Sequence, residues 1–370
     1  MTSELSSLCS YAKGKVSVDT LSNRNYVSTE NMVPNKGGIV DAGALPSAQY
    51  TQQYIKDDIL VSNIRPYFKK IWMADDDGGC SNDVLVFRAE CGCDSTFLYY
   101  VLANDAFFNY ASATSKGTKM PRGDKTAIMQ YEVPCFNHET QLRIGKLLRS
   151  IDDRITVNKK INDNLLQQLQ AIYQQIFDSA SRNDGVLSDI CSYSQRRVAV
   201  ASLTLESYYS TENMLPEKAG AVSASSLPTI VQTTGCAPGD VLISNIRPYF
   251  KKIVYCRSEC GCSTDVLCFV PMEPCLSPFL FSTLYDDRFF DYMVAGSKGT
   301  KMPRGDKQQI MAYPVVKPSN TQLERFNALG EPILAKIESS NQENKRLSAI
   351  RDALLPKLMS GEIDVSSITL

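Results

Sequence analysis

Ile144–Ile176 reads IGKLLRSIDDRITVNKKINDNLLQQLQAIYQQI. Positions 144, 148, 151, 155, 158, 162, 165, 169, 172 and 176 alternate four and three residues apart and read Ile, Leu, Ile, Ile, Asn, Asn, Leu, Leu, Ile, Ile. An ordinary amphipathic core helix would show a wider stripe drifting at period 3.6. The strict 3.5 spacing instead predicts a paired helix with an apolar seam interrupted by Asn158 and Asn162. A helix over 139–180 is roughly 60 Å long at about 1.5 Å per residue. That exceeds what a compact domain needs, so the stretch is expected to be a spacer.

Outward from this helix, the chain is one unit written twice at a constant offset of 182 residues. Asp58–Ile71 (DILVSNIRPYFKKI) returns as Asp240–Ile253 (DVLISNIRPYFKKI), with 12 of 14 positions identical. Ser115–Lys125 (SKGTKMPRGDK) returns unchanged as Ser297–Lys307, and Thr29–Met32 (TENM) as Thr211–Met214. A period this long means domain duplication and not a solenoid. The expected division is a globular domain at 1–138, the central helix at 139–180, a second domain at 181–318, and a distal helix with its tail at 319–370. Short apolar runs at Ile59–Val61 and Val84–Phe87 predict strands, and Thr96–Tyr110 predicts one short helix. Each domain therefore reads as α+β with a mixed or strongly curved sheet.

At the matched positions the distal helix is less regular, with six of ten apolar, and Glu331-Pro332 is expected to break it. Asn344 falls at the repeat position of Asn162. Matched seam asparagines suggest helices that pair with each other and fix register, although solvent-facing asparagines remain an alternative. The second domain begins where the first helix ends, so the distal helix can lie along the first only by running back. The expected architecture is two duplicated domains separated by an antiparallel pair of long coiled-coil helices, pseudo-two-fold symmetric.

A net charge of −1, 43% hydrophobic and 21% charged residues are those of a globular protein and exclude a wholesale polyanion sponge. No run approaches 18 apolar residues and the N-terminus lacks a signal-peptide pattern, so a membrane span is not expected and a cytoplasmic location is. The one histidine, His138, has no counterpart in the second copy, and no phosphate-binding glycine loop is present. These absences argue against an enzyme. Twelve cysteines read as reduced thiols. Neither close pair, Cys91/Cys93 or Cys260/Cys262, survives in the other copy, so no metal site is expected.

The repeated motifs instead carry cations among aromatic, Gly and Pro residues. Arg65, Lys69 and Lys70 surround Tyr67-Phe68, and Lys116, Lys119, Arg122 and Lys125 punctuate the second loop. Their equivalents are Arg247, Lys251 and Lys252, with Lys298, Lys301, Arg304 and Lys307. Taken alone each cluster reads as a solvated turn. Present twice on a symmetric frame, they point to duplex DNA, whose backbone is itself two-fold. Asn31 and Asn213 could pair with adenine edges or could simply build a turn.

The TEN motifs after Tyr26 and Tyr208, the GDVLISNIRPYFKK stretch from Gly239, the GTKMPRGDK loops, the QLRIGKLLRSIDDRITVNKKINDNLL helix and the closing LLPKLMSGEI together resemble the specificity subunit of type I restriction–modification systems. The resemblance implies two target-recognition domains that each read half of a bipartite DNA site. It also implies helices that set the gap and dock two modification (methyltransferase) subunits, which bind S-adenosylmethionine, with restriction–motor subunits joining for cleavage. No cofactor or catalysis of the chain's own is implied. Recognition domains in that family usually differ widely, whereas these are close copies, so a nearly palindromic interrupted target is expected. A two-headed repressor and a protein-binding scaffold are the competing readings.

Overall fold

Strand Ile59–Ser62 is apolar without alternation because both of its faces are buried. It sits inside an antiparallel sheet ordered Cys9–Tyr11, Val84–Ala89, Ile59–Ser62, Ile71–Met73. Ile59, Val61, Leu85 and Phe87 face a core completed by Phe97, Phe107 and Phe108. Leu60, Val84 and Val86 face a second core with Tyr54 and Cys80. Each fully buried large side chain contributes about 1.5–3 kcal/mol of burial. The second core is closed by another sheet, ordered Lys15–Ser17, Tyr50–Tyr54, Gly78–Cys80, Tyr26–Val27, whose last pairing is parallel. A short ribbon pairs Thr2–Glu4 with Glu132–Pro134. The second copy repeats both four-stranded sheets and the ribbon in the same order.

The computed structural model describes residues 2–177 and 184–365. The chain forms two compact units, residues 1–157 with 343–370 and residues 158–342. Each unit therefore takes one domain copy and a part of each long helix. The first long helix spans His138–Phe177 and the second Asn320–Ser360. The expected helix end at 178–180 and the domain start at 181–183 lie outside the described residues, as do residues 366–370 of the tail.

Within each unit the helices run antiparallel. Asp152 pairs with Arg351 at 2.6 Å and Arg154 with Glu343 at 3.0 Å in the first. In the second, Asn162 Nδ2 donates to Asn341 Oδ1 at 2.9 Å. All ten seam positions are buried or half-buried, while the off-seam Val157 and Ile161 are exposed. Asn158 and Asn162 are buried and Asn344 is half-buried. The hydrogen-bond partner shown for Asn162 is Asn341, one turn from its repeat equivalent Asn344.

Each domain core is closed by the start of its own helix and the end of the other one. Ile144 and Leu148 join Leu355 and Leu358 in the first unit. Leu323 and Phe326 join Tyr173 and Phe177 in the second. This exchange ties fold to connectivity, because neither domain copy completes its core from its own segment alone.

Two local expectations are corrected. Thr96–Tyr110 is not one helix but two, Ser95–Ala103 and Asp105–Ala113, because Asn104 leaves the helical region and caps Ala106 N at 3.0 Å. The distal helix is not broken at Glu331-Pro332. Pro332 lies on the exposed side, as does Ala328, whose carbonyl its ring would unseat, so water can satisfy that oxygen. Gly330 is buried instead, and a Cβ there would stand 3.2 Å from Leu169 Cδ1.

The twelve cysteines are free thiols, as expected. Five of them, Cys236, Cys256, Cys260, Cys262 and Cys268, share one core of the second copy. Among the described residues no group of three or more His, Cys, Asp or Glu is placed to hold a metal ion, and no helix is long and apolar enough to cross a membrane. His138 starts the first long helix, exposed, with Nδ1 3.3 Å from Gly92 O.

Candidate nucleic-acid interface

Four loops from distant points in the chain meet at the end of strand Ile59–Ser62. The turn Arg65–Lys70 is pinned to the SKGTKMPRGDK loop by Arg65 N donating to Pro121 O at 2.8 Å. It is pinned to the loop at 33–40 by Asn35 N to Phe68 O and Lys36 N to Lys69 O, both 2.8 Å. Lys70 Nζ donates to Thr29 O at 2.6 Å, bringing in the TEN loop. Asn63 N donates to Asp83 O at 2.8 Å, and Gly123 N to Asn63 O at 3.1 Å. A Cβ on Gly123 would meet Asn63 Oδ1 at 2.8 Å, so glycine is required for this approach.

The backbone here is strained. Arg65 and Lys69 flank a 3₁₀ turn at Pro66–Phe68 and both have φ of 51°. Asn35 (φ 56°) and Lys36 (φ 61°) lie in the same left-handed region. The second copy repeats the pattern at Glu217, Lys218, Arg247 and Lys251. Such conformations cost about 1–3 kcal/mol each and concentrate at functional sites. Asn63 Oδ1 and Arg65 Nε are buried without a hydrogen-bond partner among the described residues, and so are Asn245 Oδ1 and Arg247 Nε. Orphaned polar atoms that recur in both copies invite an outside partner.

Asn31 and Asn213 do not reach this surface as base readers. Asn31 is buried. Its Oδ1 accepts from Ser28 N at 2.6 Å, and its Nδ2 donates to Tyr26 O at 3.0 Å and Val40 O at 2.8 Å. Asn213 makes the matching bonds to Ser210, Tyr208 and Val222. With the amide fully spent, these residues brace the loop. Lys70 and Lys252 act similarly: each is half-buried with its ammonium on a carbonyl, Thr29 O or Thr211 O at 2.6 Å. Burial lowers the pKa of both.

The remaining cations are mostly matched by carboxylates. Lys69 and Lys36 share Asp105 at 2.9 and 2.8 Å, and Lys251 and Lys218 share Asp287 at 2.9 and 2.7 Å. Arg122 pairs with Asp83 and Arg304 with Asp265, each at 3.0 Å. Lys116 pairs with Asp124 and Lys298 with Asp306, and these lysines hold both carboxylates below their usual pKa. Lys125 and Lys307 lie over the Tyr11 and Tyr193 rings at 5.9 and 5.8 Å. Lys119 and Lys301 are exposed and have no ion pair among the described residues. A phosphate arriving here would exchange for carboxylates already placed, which keeps the surface specific in spite of a chain charge near zero. Sequence reasoning missed Lys36 and Lys218, though PNKGG and PEKAG repeat at the same offset.

Comparison with known proteins finds one family and several of its members similar to this chain. The family described as "Type I restriction modification DNA specificity domain" matches residues 1–167. The 182-residue repeat carries the same motifs through the other copy. The match takes in the first domain copy and most of the first long helix, which are similar to that specificity domain. Among relatives of this specificity family, the chain is 23% identical over 311 residues to the type I restriction enzyme MjaIX specificity subunit of Methanocaldococcus jannaschii, covering 75% of this chain and 71% of that one. It is 27% identical over 136 residues to the EcoDI specificity subunit of Escherichia coli, covering 36% and 29%. The type I S subunit of M. genitalium, a solved structure, superposes with a TM-score of 0.55 at 17% identity, covering 97% and 96%. That likeness shows a shared fold.

Proposed function

We propose that this chain is the non-catalytic DNA-reading subunit of a type I restriction–modification complex, each domain copy reading one half of a bipartite duplex target. The observation that carries the reading is the strained four-loop surface, built twice from the same residues. Arg65, Lys69, Lys116, Lys119, Arg122 and Lys125, with their equivalents in the second copy, present the cations for phosphate and base-edge contact. The paired helices set the gap between half-sites and dock two modification subunits, which supply S-adenosylmethionine and the methyl transfer, with restriction–motor subunits joining for cleavage. The complex acts on DNA in the cytoplasm.

The test is adenine methylation in a host expressing this chain with its modification subunit. Methylation at one interrupted motif that disappears without this chain supports the reading; an unchanged methylome contradicts it. Inserting one heptad into both long helices lengthens the spacer by about 10 Å, or about three base pairs. The gap should lengthen accordingly with half-sites unchanged, and a constant gap would rule out a helical ruler.

A further inference from the structure

Tyr67 and Phe68 are both exposed, 52% and 38%, with ring centroids 4.8 Å apart. Tyr249 and Phe250 repeat this at 46% and 36%, with centroids 4.7 Å apart. Adjacent exposed aromatics are costly to leave in water, and an ordinary turn does not need them. Here each pair is held out by a left-handed residue on either side, Arg65 and Lys69 or Arg247 and Lys251. The strained turn therefore presents two part-exposed rings between flanking cations. Hydrogen bonds from Asn35 N to Phe68 O and from Glu217 N to Phe250 O, at 2.8 and 2.9 Å, fix the height of each turn.

We propose that Tyr67-Phe68 and Tyr249-Phe250 are wedges that insert against a base step of duplex DNA, one in each half-site. This deepens the DNA-reading proposal and rests on it. Arg65 and Lys69 neutralise the phosphates on either side of the opened step, so charge complementarity selects DNA over an apolar protein surface. Apolar wedges unstack a step and kink the duplex. Steps that unstack cheaply, such as TA and CA, are then selected without a base hydrogen bond. The wedge thus supplies part of the specificity that the buried Asn31 and Asn213 do not.

The experiment uses the full chain assembled with its modification subunits. The probe is its methylated target duplex, carrying 2-aminopurine at successive purines other than the methylated adenine. The wild-type complex should raise 2-aminopurine fluorescence several-fold at one step per half-site. Tyr67→Ala with Phe68→Ala should abolish the rise in one half-site only and weaken binding roughly tenfold to a hundredfold. Tyr249→Ala with Phe250→Ala should do so in the other. Tyr67→Phe should retain the signal, and because each ring is more than a third exposed the double variants should stay folded, checked by thermal melting. No fluorescent step in a wild-type complex that still methylates its motif overturns the wedge while leaving the DNA-reading proposal standing. Failure of the double variants to assemble with the modification subunits would assign the rings to a protein partner and also overturn it. Absence of any chain-dependent motif would be failure of the broader proposal instead.

Discussion

The two domain copies agree in two surface loops and differ in one of the cores beneath them. The 11 residues of SKGTKMPRGDK are identical, as are SNIRPYFKK and its strained turn. Under that surface, Tyr54 in the first copy closes a core in which a Cβ on Gly78 would stand 2.4 Å from its hydroxyl. The second copy replaces Tyr54, Ala74, Gly78 and Val86 by Cys236, Cys256, Cys260 and Cys268, refilling the space with small thiols. The buried carboxylate is also matched from different elements, a strand in one copy and a loop in the other. Asp58 takes Arg88 Nε and Nη2 at 2.8 and 2.7 Å, whereas Asp240 takes Arg196, at the position of Gly14 in the first copy. Cores tolerate such exchanges when volume and charge are kept.

If the two carboxylate solutions are equivalent, removing either arginine should cost the same. Arg88→Ala and Arg196→Ala each strand a buried carboxylate and should destabilise their own unit by roughly 3 kcal/mol in urea unfolding. A large loss in one unit and none in the other would break the equivalence. Asn31→Ala and Asn213→Ala come next. Each removes the amide that joins three backbone segments and should cost roughly 2 kcal/mol, with loosening of the Lys70 or Lys252 strap visible in hydrogen exchange. Loss of DNA discrimination without loss of stability would restore these residues as base readers.

Arg122→Ala and Arg304→Ala test the surface itself, each weakening binding through its own half-site by about 1–2 kcal/mol. Equal loss on DNA carrying neither half-site would mark a phosphate-only contact. The smallest effect concerns Asp287, whose pKa is lowered by hydrogen bonds from Lys218 and Lys251. A depressed carboxylate stabilises the fold above its unfolded pKa of about 4 and loses that contribution as pH falls through the folded value. After solvent screening this amounts to a few tenths of a kcal/mol. The melting-temperature gap between wild type and Asp287→Asn should therefore be present at pH 7 and narrow as pH falls below about 4.

Much of the fold was readable because it rests on periodicity. The seam at 144–176 predicted a buried face position by position, and the constant offset predicted two domains of one design. What escaped depends on where a group points. Nothing in TEN distinguishes an asparagine that reads adenine from one whose amide is spent on Tyr26 O and Val40 O. Pro332 signals a break only if its side of the helix is buried, and it is exposed. The carboxylates that pair with the cations lie up to 69 residues away, as Asp105 does from Lys36, and are invisible to motif reading.

Single-molecule sequencing of the methylated motif, from a host carrying this chain and a modification subunit, bears most directly on the equivalence of the two repeated surfaces. Two like half-sites in inverted order across a fixed gap are predicted. Two unrelated half-site sequences would contradict the account.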